Sequence, residues 1–262
     1  MLSHTLKLSG AMAQFSRMEM KTYLVHPLAM FWTFAYPVIL FLLMNTIFGG
    51  QYRAGSIRYA DYLITGLPVL TIFTSALFSF VLPLIELRAS NKLRMLGLFP
   101  VPGGVFFAGF ALSRTLILAV FTLLFVMLMS HLAPGATPVR PRTLAWLMML
   151  AVSGSLAMIG VGIILASIVK RTATATALAN ILNVPVIFLS DLFLPVAIFP
   201  GWLQAVAHRS PLYQFVTLLR AVYADNFDPA VAVAWSAGMI VCGIVMIGFG
   251  ARRFNWVTSD GR

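Results

Sequence analysis

The chain has 262 residues, 60% of them hydrophobic and only 10% charged, with a formal net charge of +11. Soluble globular proteins carry about 25% charged residues, so there is too little polar surface here to cover a soluble domain. The basic residues are strung between apolar runs rather than gathered on one face, so no nucleic-acid partner is expected. The single cysteine, Cys242, sits in an apolar run and permits neither an internal disulfide nor a cysteine metal site.

Residues 6–25 mix Leu6, Leu8, Met12, Phe15, Tyr23 and Leu24 with Lys7, Arg17, Glu19 and Lys21, and Pro27 ends the stretch. That pattern predicts an amphipathic helix lying in the membrane interface, within a first region of residues 1–27. Six apolar runs of spanning length follow. They are roughly Leu28 to Phe48, Tyr62 to Leu84, Val105 to Met129, Leu144 to Ile168, Ala175 to Leu194 and Ala230 to Gly250. Together they define a transmembrane region of residues 28–250, followed by a tail of residues 251–262. The first run is expected to be retained as a span, since residues 1–27 precede it and no small-residue cleavage site follows it.

Loop charge sets the expected orientation. Lys7, Arg17, Lys21, Arg88, Lys92, Arg94, Lys170, Arg171, Arg252, Arg253 and Arg262 fall on one side; Arg53, Arg58, Arg140, Arg142, Arg209 and Arg220 fall on the other. The richer side is expected to be cytoplasmic, with both termini there. Asp61, Asp191, Asp225 and Asp228 partly offset the cations of the poorer side. Arg114 falls inside the third run and belongs to neither.

Several stretches stand out as candidates for function. Residues 88–99 form a basic, helix-compatible connection with Leu93 and Leu96 on one side and Arg88, Lys92 and Arg94 free to meet an acidic partner; Pro100 and Pro102 stop it. Thr71, Thr74 and Phe78 in the second run, and Asn180 and Asn183 three residues apart in the fifth, place polar groups and an aromatic at membrane depth. They read either as glue between helices or as the wall of a cargo path, to which Asp191 at the outer end of the fifth run is added. The fourth run carries Ser153, Gly154, Ser155, Ala157, Gly160, Gly162 and Ala166, which suit close packing of helices. Residues 195–229 form an apolar outer segment that Pro195, Pro200, Gly201 and Pro211 break too often for a span. No GxxxxGK[ST] phosphate-binding loop and no HExxH motif occurs, and all four histidines lie near or beyond run ends.

Pro195, Pro200, Trp202, Leu203, Ser210, Pro211, Leu212 and Arg220 follow the pattern that precedes the last span of the ATP-binding-cassette type-2 exporter permeases, which the chain therefore resembles. Arg88, Leu93, Leu96, Pro100 and Val101 match that family's coupling helix, whereas Ala89, Asn91, Lys92 and Arg94 replace residues that are acidic, Gly, Thr and acidic there. The resemblance implies an all-α integral membrane protein with about six spans, an N-terminal interfacial helix and a short outer helical segment before the last span. It implies a non-enzymatic transport subunit in a bacterial inner membrane that pairs with a second permease subunit, most simply in a homodimer, and with a separate ATPase. ATP and magnesium would be bound by that partner, and no cofactor by this chain. Residues 88–99 would transmit force, and residues 195–229 would act as a lid. A Phe-rich, weakly charged path suits an amphipathic or hydrophobic cargo such as a drug-like molecule, a lipid or a lipid-linked glycan. A secondary transporter and a non-transporting anchor subunit stay open as alternatives; neither an internal repeat nor a carboxylate deep within a span speaks for the first.

Overall fold

The computed structural model describes residues 2–49, 53–54, 57–89, 103–169, 171–192 and 195–253. Almost everything in it is helical. Among the described residues, six helices are long and apolar enough to cross a membrane: Phe31–Phe48, Tyr59–Glu86, Gly104–Leu132, Pro141–Ile168, Thr172–Leu189 and Pro229–Arg253. These are called the first to sixth spans. A membrane offers the backbone no water to bond, so each N–H and C=O must be satisfied within its own helix. The strand content among described residues is a two-residue antiparallel ladder, Arg53–Ala54 against Ile57–Arg58, between the first two spans.

The N-terminal helix, Leu2–Val25, lies against the first half of the third span. Phe15 meets Phe106 at 4.9 Å between ring centroids. The chain then turns at His26, whose Nδ1 accepts from the Ala29 N–H at 3.3 Å and so satisfies one donor of the next helix. The second span is the most buried of the six and packs on the first, third, fourth and fifth. Its core is Leu63, Ile64, Leu67, Ile72 and Leu77, each almost wholly out of contact with solvent.

Two spans contain π-helical stretches, Phe31–Ala35 and Ser75–Val81. Each ends two residues before a proline, Pro37 and Pro83. Proline lacks an N–H, and its ring clashes with the carbonyl four residues back, here Thr33 and Ser79. Widening the turn at those carbonyls removes the clash without ending the helix.

The sixth span runs along the fourth. A Cβ on Gly243 would stand 2.9 Å from the carbonyl oxygen of Leu156, and one on Gly160 3.1 Å from that of Gly243. Only glycine allows backbones this close, and in lipid such packing is what holds helices together. The first, fifth and sixth spans are mostly uncovered, with 17%, 11% and 17% of their apolar windows buried.

Before the sixth span, the chain makes a 3₁₀ turn, Val196–Ile198, and two helices, Gly201–His208 and Pro211–Tyr223. Pro200 and Ser210 are their extended N-caps, followed by Gly201 and by Pro211 at the first helical position. The second of these helices buries Leu212, Phe215, Val216 and Leu219 against the second and fourth spans. These helices close one end of the bundle, here called the capped end; the N-terminal helix lies towards the other. The fifth helix stops at Leu189, five residues before the apolar run does, because Asp191 takes a left-handed backbone, φ 59°.

Candidate functional site

A cavity of about 1160 Å³ lies between the N-terminal helix and the first, second, third and fifth spans. Both π-helical stretches contribute to its wall, through Trp32 and Thr33 on one side and Ser75 and Phe78 on the other. A widened turn re-aims the side chains it carries, which is why such stretches are frequent at functional sites.

Of the residues that the sequence marks for a cargo path, Thr71, Thr74, Phe78 and Asn183 line this cavity. Asn180 is exposed on the fifth span and is not in the wall. The Thr71 hydroxyl donates to the Leu67 carbonyl at 2.9 Å, and that of Thr74 to the Leu70 carbonyl at 2.9 Å. Their protons are therefore committed to the helix, and each offers the cavity only lone pairs. The Asn183 side-chain carbonyl is buried with no hydrogen-bond partner among the described residues.

The charged part of the wall comes from elements far apart in sequence. Arg114 stands ten residues, about 15 Å, into the third span, and is 6% exposed. Its NH2 donates to Glu19 Oε1 at 2.7 Å. The guanidinium lies over the Tyr23 ring, 3.8 Å from its centroid, with Phe110 at 5.0 Å. Its Nε and NH1 are buried and make no hydrogen bond among the described residues. The Tyr23 hydroxyl is bonded to the Thr33 hydroxyl, which ties the N-terminal helix to the first span beside the Arg114 pair. Burial raises the Glu19 pKa above the ordinary carboxylate value, and the Arg114 charge opposes that shift. Glu86, also in the wall, is exposed.

Asp191 lies outside the cavity lining. Its Oδ2 accepts from Arg220 NH1, its backbone carbonyl from Arg220 NH2, and its Oδ1 from the Val196 N–H at 2.7 Å. Arg220 Nε donates to Thr65 Oγ1 at 3.2 Å, and the guanidinium covers the Tyr62 ring at 3.7 Å. Arg220, placed by sequence in the outer segment, is thus the residue that fixes that segment to the second and fifth spans. Gly66 lets this happen: a Cβ there would stand 2.6 Å from the Leu192 carbonyl oxygen. Pro195 and Pro200 flank the 3₁₀ turn, Trp202 is 70% exposed, and Pro211 opens the second capping helix.

Asp61 makes a second fastening at the same end. Its carboxylate accepts from the Thr137 N–H and hydroxyl, both at 2.7 Å, and from the Tyr223 hydroxyl at 3.2 Å. Burial, and then the neighbouring Asp61 charge, pushes the Tyr223 pKa well above the ordinary phenol value. Arg140 and Arg142 both reach Asp225, whose φ is 57°.

In the expected coupling segment only the backbone of Arg88 is described, at the end of helix Leu82–Ala89. Lys92, Leu93, Arg94 and Leu96 lie outside the described residues.

The wall thus combines long apolar helices with two π stretches, a buried cation and spare polar groups. The family model for ABC-2 type transporters matches residues 12–224, which takes in the second half of the N-terminal helix, five spans and both capping helices. The chain belongs to the ABC-2 type transporter family. It is accordingly the membrane domain of an ABC-type permease and a multi-pass membrane protein. Comparison with curated proteins returned no match. Within the family domain lie every cavity residue named above and both fastenings of the capped end.

Proposed function

We propose that the chain is the permease subunit of an ATP-driven exporter of amphipathic or hydrophobic molecules. The observation that carries this is the cavity beside the second span, large enough for a drug-sized or lipid-like molecule and walled by Trp32, Phe78, Thr71 and Asn183. In this reading the capped end faces away from the cytoplasm, both termini face it, and the membrane is a bacterial inner membrane. A separate ATPase binds ATP and magnesium and docks on residues 88–99. The uncovered faces of the first and fifth spans, with Ile39, Leu43, Ile181 and Val184 exposed, pair with a second copy of the chain. Closure of the ATPase pair pushes on the coupling segments and opens the cavity towards the capped end.

The test is purification of the tagged chain with its ATPase from native membranes and reconstitution into proteoliposomes. ATP-dependent movement of fluorescent amphiphiles is expected, and Phe78→Ala and Asn183→Leu are expected to change which amphiphile moves while the ATPase stays bound. Movement driven by an ion gradient without nucleotide would make the chain a secondary transporter. Loss of the ATPase from both variants would mean that these residues serve packing alone.

A further inference from the structure

We propose that Arg114 is an anion site within the cavity, that Glu19 is its resident occupant, and that the acidic head group of an amphiphilic cargo displaces it. The inference rests on the cavity being the cargo path and adds the class of cargo: a molecule with an apolar body and a carboxylate- or phosphate-like head.

Three observations carry it. The first is unused capacity. A guanidinium has five N–H donors in a planar fork suited to bidentate capture of an oxyanion. Arg114 spends one interaction on Glu19, while its Nε and NH1 are buried and unpartnered among the described residues. Donors deprived of water are rare unless something else meets them. The second is pre-organisation. Tyr23 and Phe110 hold the guanidinium from the side, so that an incoming anion meets a positioned fork. The third is the weakness of the present occupant. Glu19 makes a single contact to Arg114, through one oxygen, although its pKa is raised by burial. Its carboxylate is a poorly solvated charge that a better-fitting oxyanion can replace.

Position supports the same assignment. Arg17 and Lys21 are exposed on the N-terminal helix, two residues to either side of Glu19, and such a field concentrates anions at the entrance. Glu86 at the wall is the countervailing group, and it is exposed where Arg114 is buried. The apolar body of the cargo then lies along Trp32, Tyr36 and Phe78. Since Glu19 belongs to the N-terminal helix, its displacement removes the ion pair that joins that helix to the third span and leaves the Tyr23 and Phe15 packing to hold it. Cargo entry is thereby linked to movement of the element that leads into the first span.

The test uses three probes with one dansyl-undecyl tail and different heads: a carboxylate, a neutral carboxamide and a trimethylammonium. Binding to the purified full-length chain in a maltoside detergent is read by energy transfer from tryptophan. The carboxylate is expected to bind at least about tenfold tighter than the amide, a modest discrimination for a buried charge partner. Arg114→Gln is expected to bring that ratio close to one. Glu19→Gln, which removes the competitor but keeps the volume, is expected to raise it several-fold. A pair that served only to hold the helices together would instead weaken all three probes alike in Glu19→Gln, and that result overturns the proposal. So does equal binding of carboxylate and amide, or tightest binding of the ammonium probe. If those outcomes occur while Phe78→Ala still weakens every probe, the cavity stands as the cargo path and only its anion preference is lost. If no probe binds, the path itself is misplaced. Should Arg114→Gln not fold, Arg114→Lys with Glu19→Gln decides the matter. A point charge in place of the fork is expected to keep part of the carboxylate preference.

Discussion

Replacing Asp191 by asparagine isolates one charge at the capped end. Asparagine is nearly isosteric, accepts from the Val196 N–H as aspartate does, and tolerates the left-handed backbone at φ 59°. What it removes is the counter-charge of Arg220. The two side chains are only 9% and 14% exposed, so screening by solvent discounts their interaction little. Leaving one member of such a buried pair unmatched costs about 3–5 kcal/mol. Here the guanidinium keeps the Asp191 carbonyl, Thr65 and the Tyr62 ring, and a desolvated cation–π contact is worth about 2 kcal/mol. The expected loss is therefore about 2–3 kcal/mol. Asp191→Gly loses the Val196 bond as well, worth about 1 kcal/mol, but relieves the left-handed backbone by about 1–2 kcal/mol, so it should come out close to Asp191→Asn. The assay is equilibrium unfolding in mixed micelles, completed as a double-mutant cycle with Arg220→Met. The double variant should be more stable than the sum of the single losses predicts by about 2 kcal/mol. A coupling below about 0.5 kcal/mol would show that the pair does not fasten the cap.

Gly243→Leu, which drives a side chain into the Leu156 carbonyl, should separate the sixth span from the fourth and give aggregated protein on gel filtration, whereas Gly248→Leu, in open space, should stay monodisperse. Tyr223→Phe removes the hydroxyl bonds to Asp61 and the Thr137 carbonyl and should cost about 1–3 kcal/mol by the same unfolding assay. Since the folded Tyr223 pKa lies above the unfolded value of about 10, its contribution is complete below that pH and fades as pH rises beyond it; the loss above pH 10 should be smaller in Tyr223→Phe. Cysteines introduced at Pro138 and at Lys170 should differ in intact cells: an impermeant maleimide should label the first and spare the second, and labelling at Lys170 would reverse the assigned orientation.

The number and order of the spans could be read from run length alone, because backbone satisfaction in lipid leaves little choice but a helix of that length. Span ends were less legible. The second span begins at Tyr59 and the sixth continues to Arg253, since polar ends extend a helix where hydropathy has already faded. The π stretches left a mark in Pro37 and Pro83, but a proline within a span announces only a disturbed turn, not its form. Thr71, Thr74 and Phe78 of the second span line the cavity because depth and polarity coincide there. Asn180 went elsewhere because three residues of helix turn a side chain by about 300°, so a neighbour on one face can still fall outside a narrow wall. The pair of Arg114 and Glu19 was not visible as a pair: 95 residues separate them. A usable signal existed nonetheless. A lone arginine inside an apolar run needs a partner, and Glu19 was the acid on an amphipathic helix with no partner of its own. Asp61 read only as an offset to the cations of its side and Asp191 as an addition to the cargo path, and only the packing of the capping helices shows both as fasteners.

The distribution of satisfied and unsatisfied polar groups bears on what moves this protein. At the capped end Asp191 and Asp61 have their oxygens engaged by two or three donors each; Asp61 holds the helix Pro211–Tyr223 to the second span, and Asp191 holds it to the chain just past the fifth. Asp225 adds little, because Arg140 and Arg142 are 65% and 70% exposed and exposed pairs are worth about 0–1 kcal/mol. In the cavity the pattern reverses, with donors of Arg114 and the carbonyl of Asn183 left over. In the export reading proposed above, a cargo finds its free interactions in the cavity, while the exit is held by bonds that the cargo does not touch. Opening that exit means breaking both buried fastenings, at about 2–3 kcal/mol for the Asp191–Arg220 pair and about 1–3 kcal/mol for the Tyr223 hydroxyl on Asp61 by the reasoning above. A ligand shifts such an equilibrium only by its differential affinity for the two states. To hold the exit open unaided, cargo would have to bind the open form about a hundredfold to ten-thousandfold more tightly. Binding that tight would itself oppose release. The capped end thus favours an opening force applied from outside the cavity, which supports the reading in which a partner ATPase supplies it through residues 88–99.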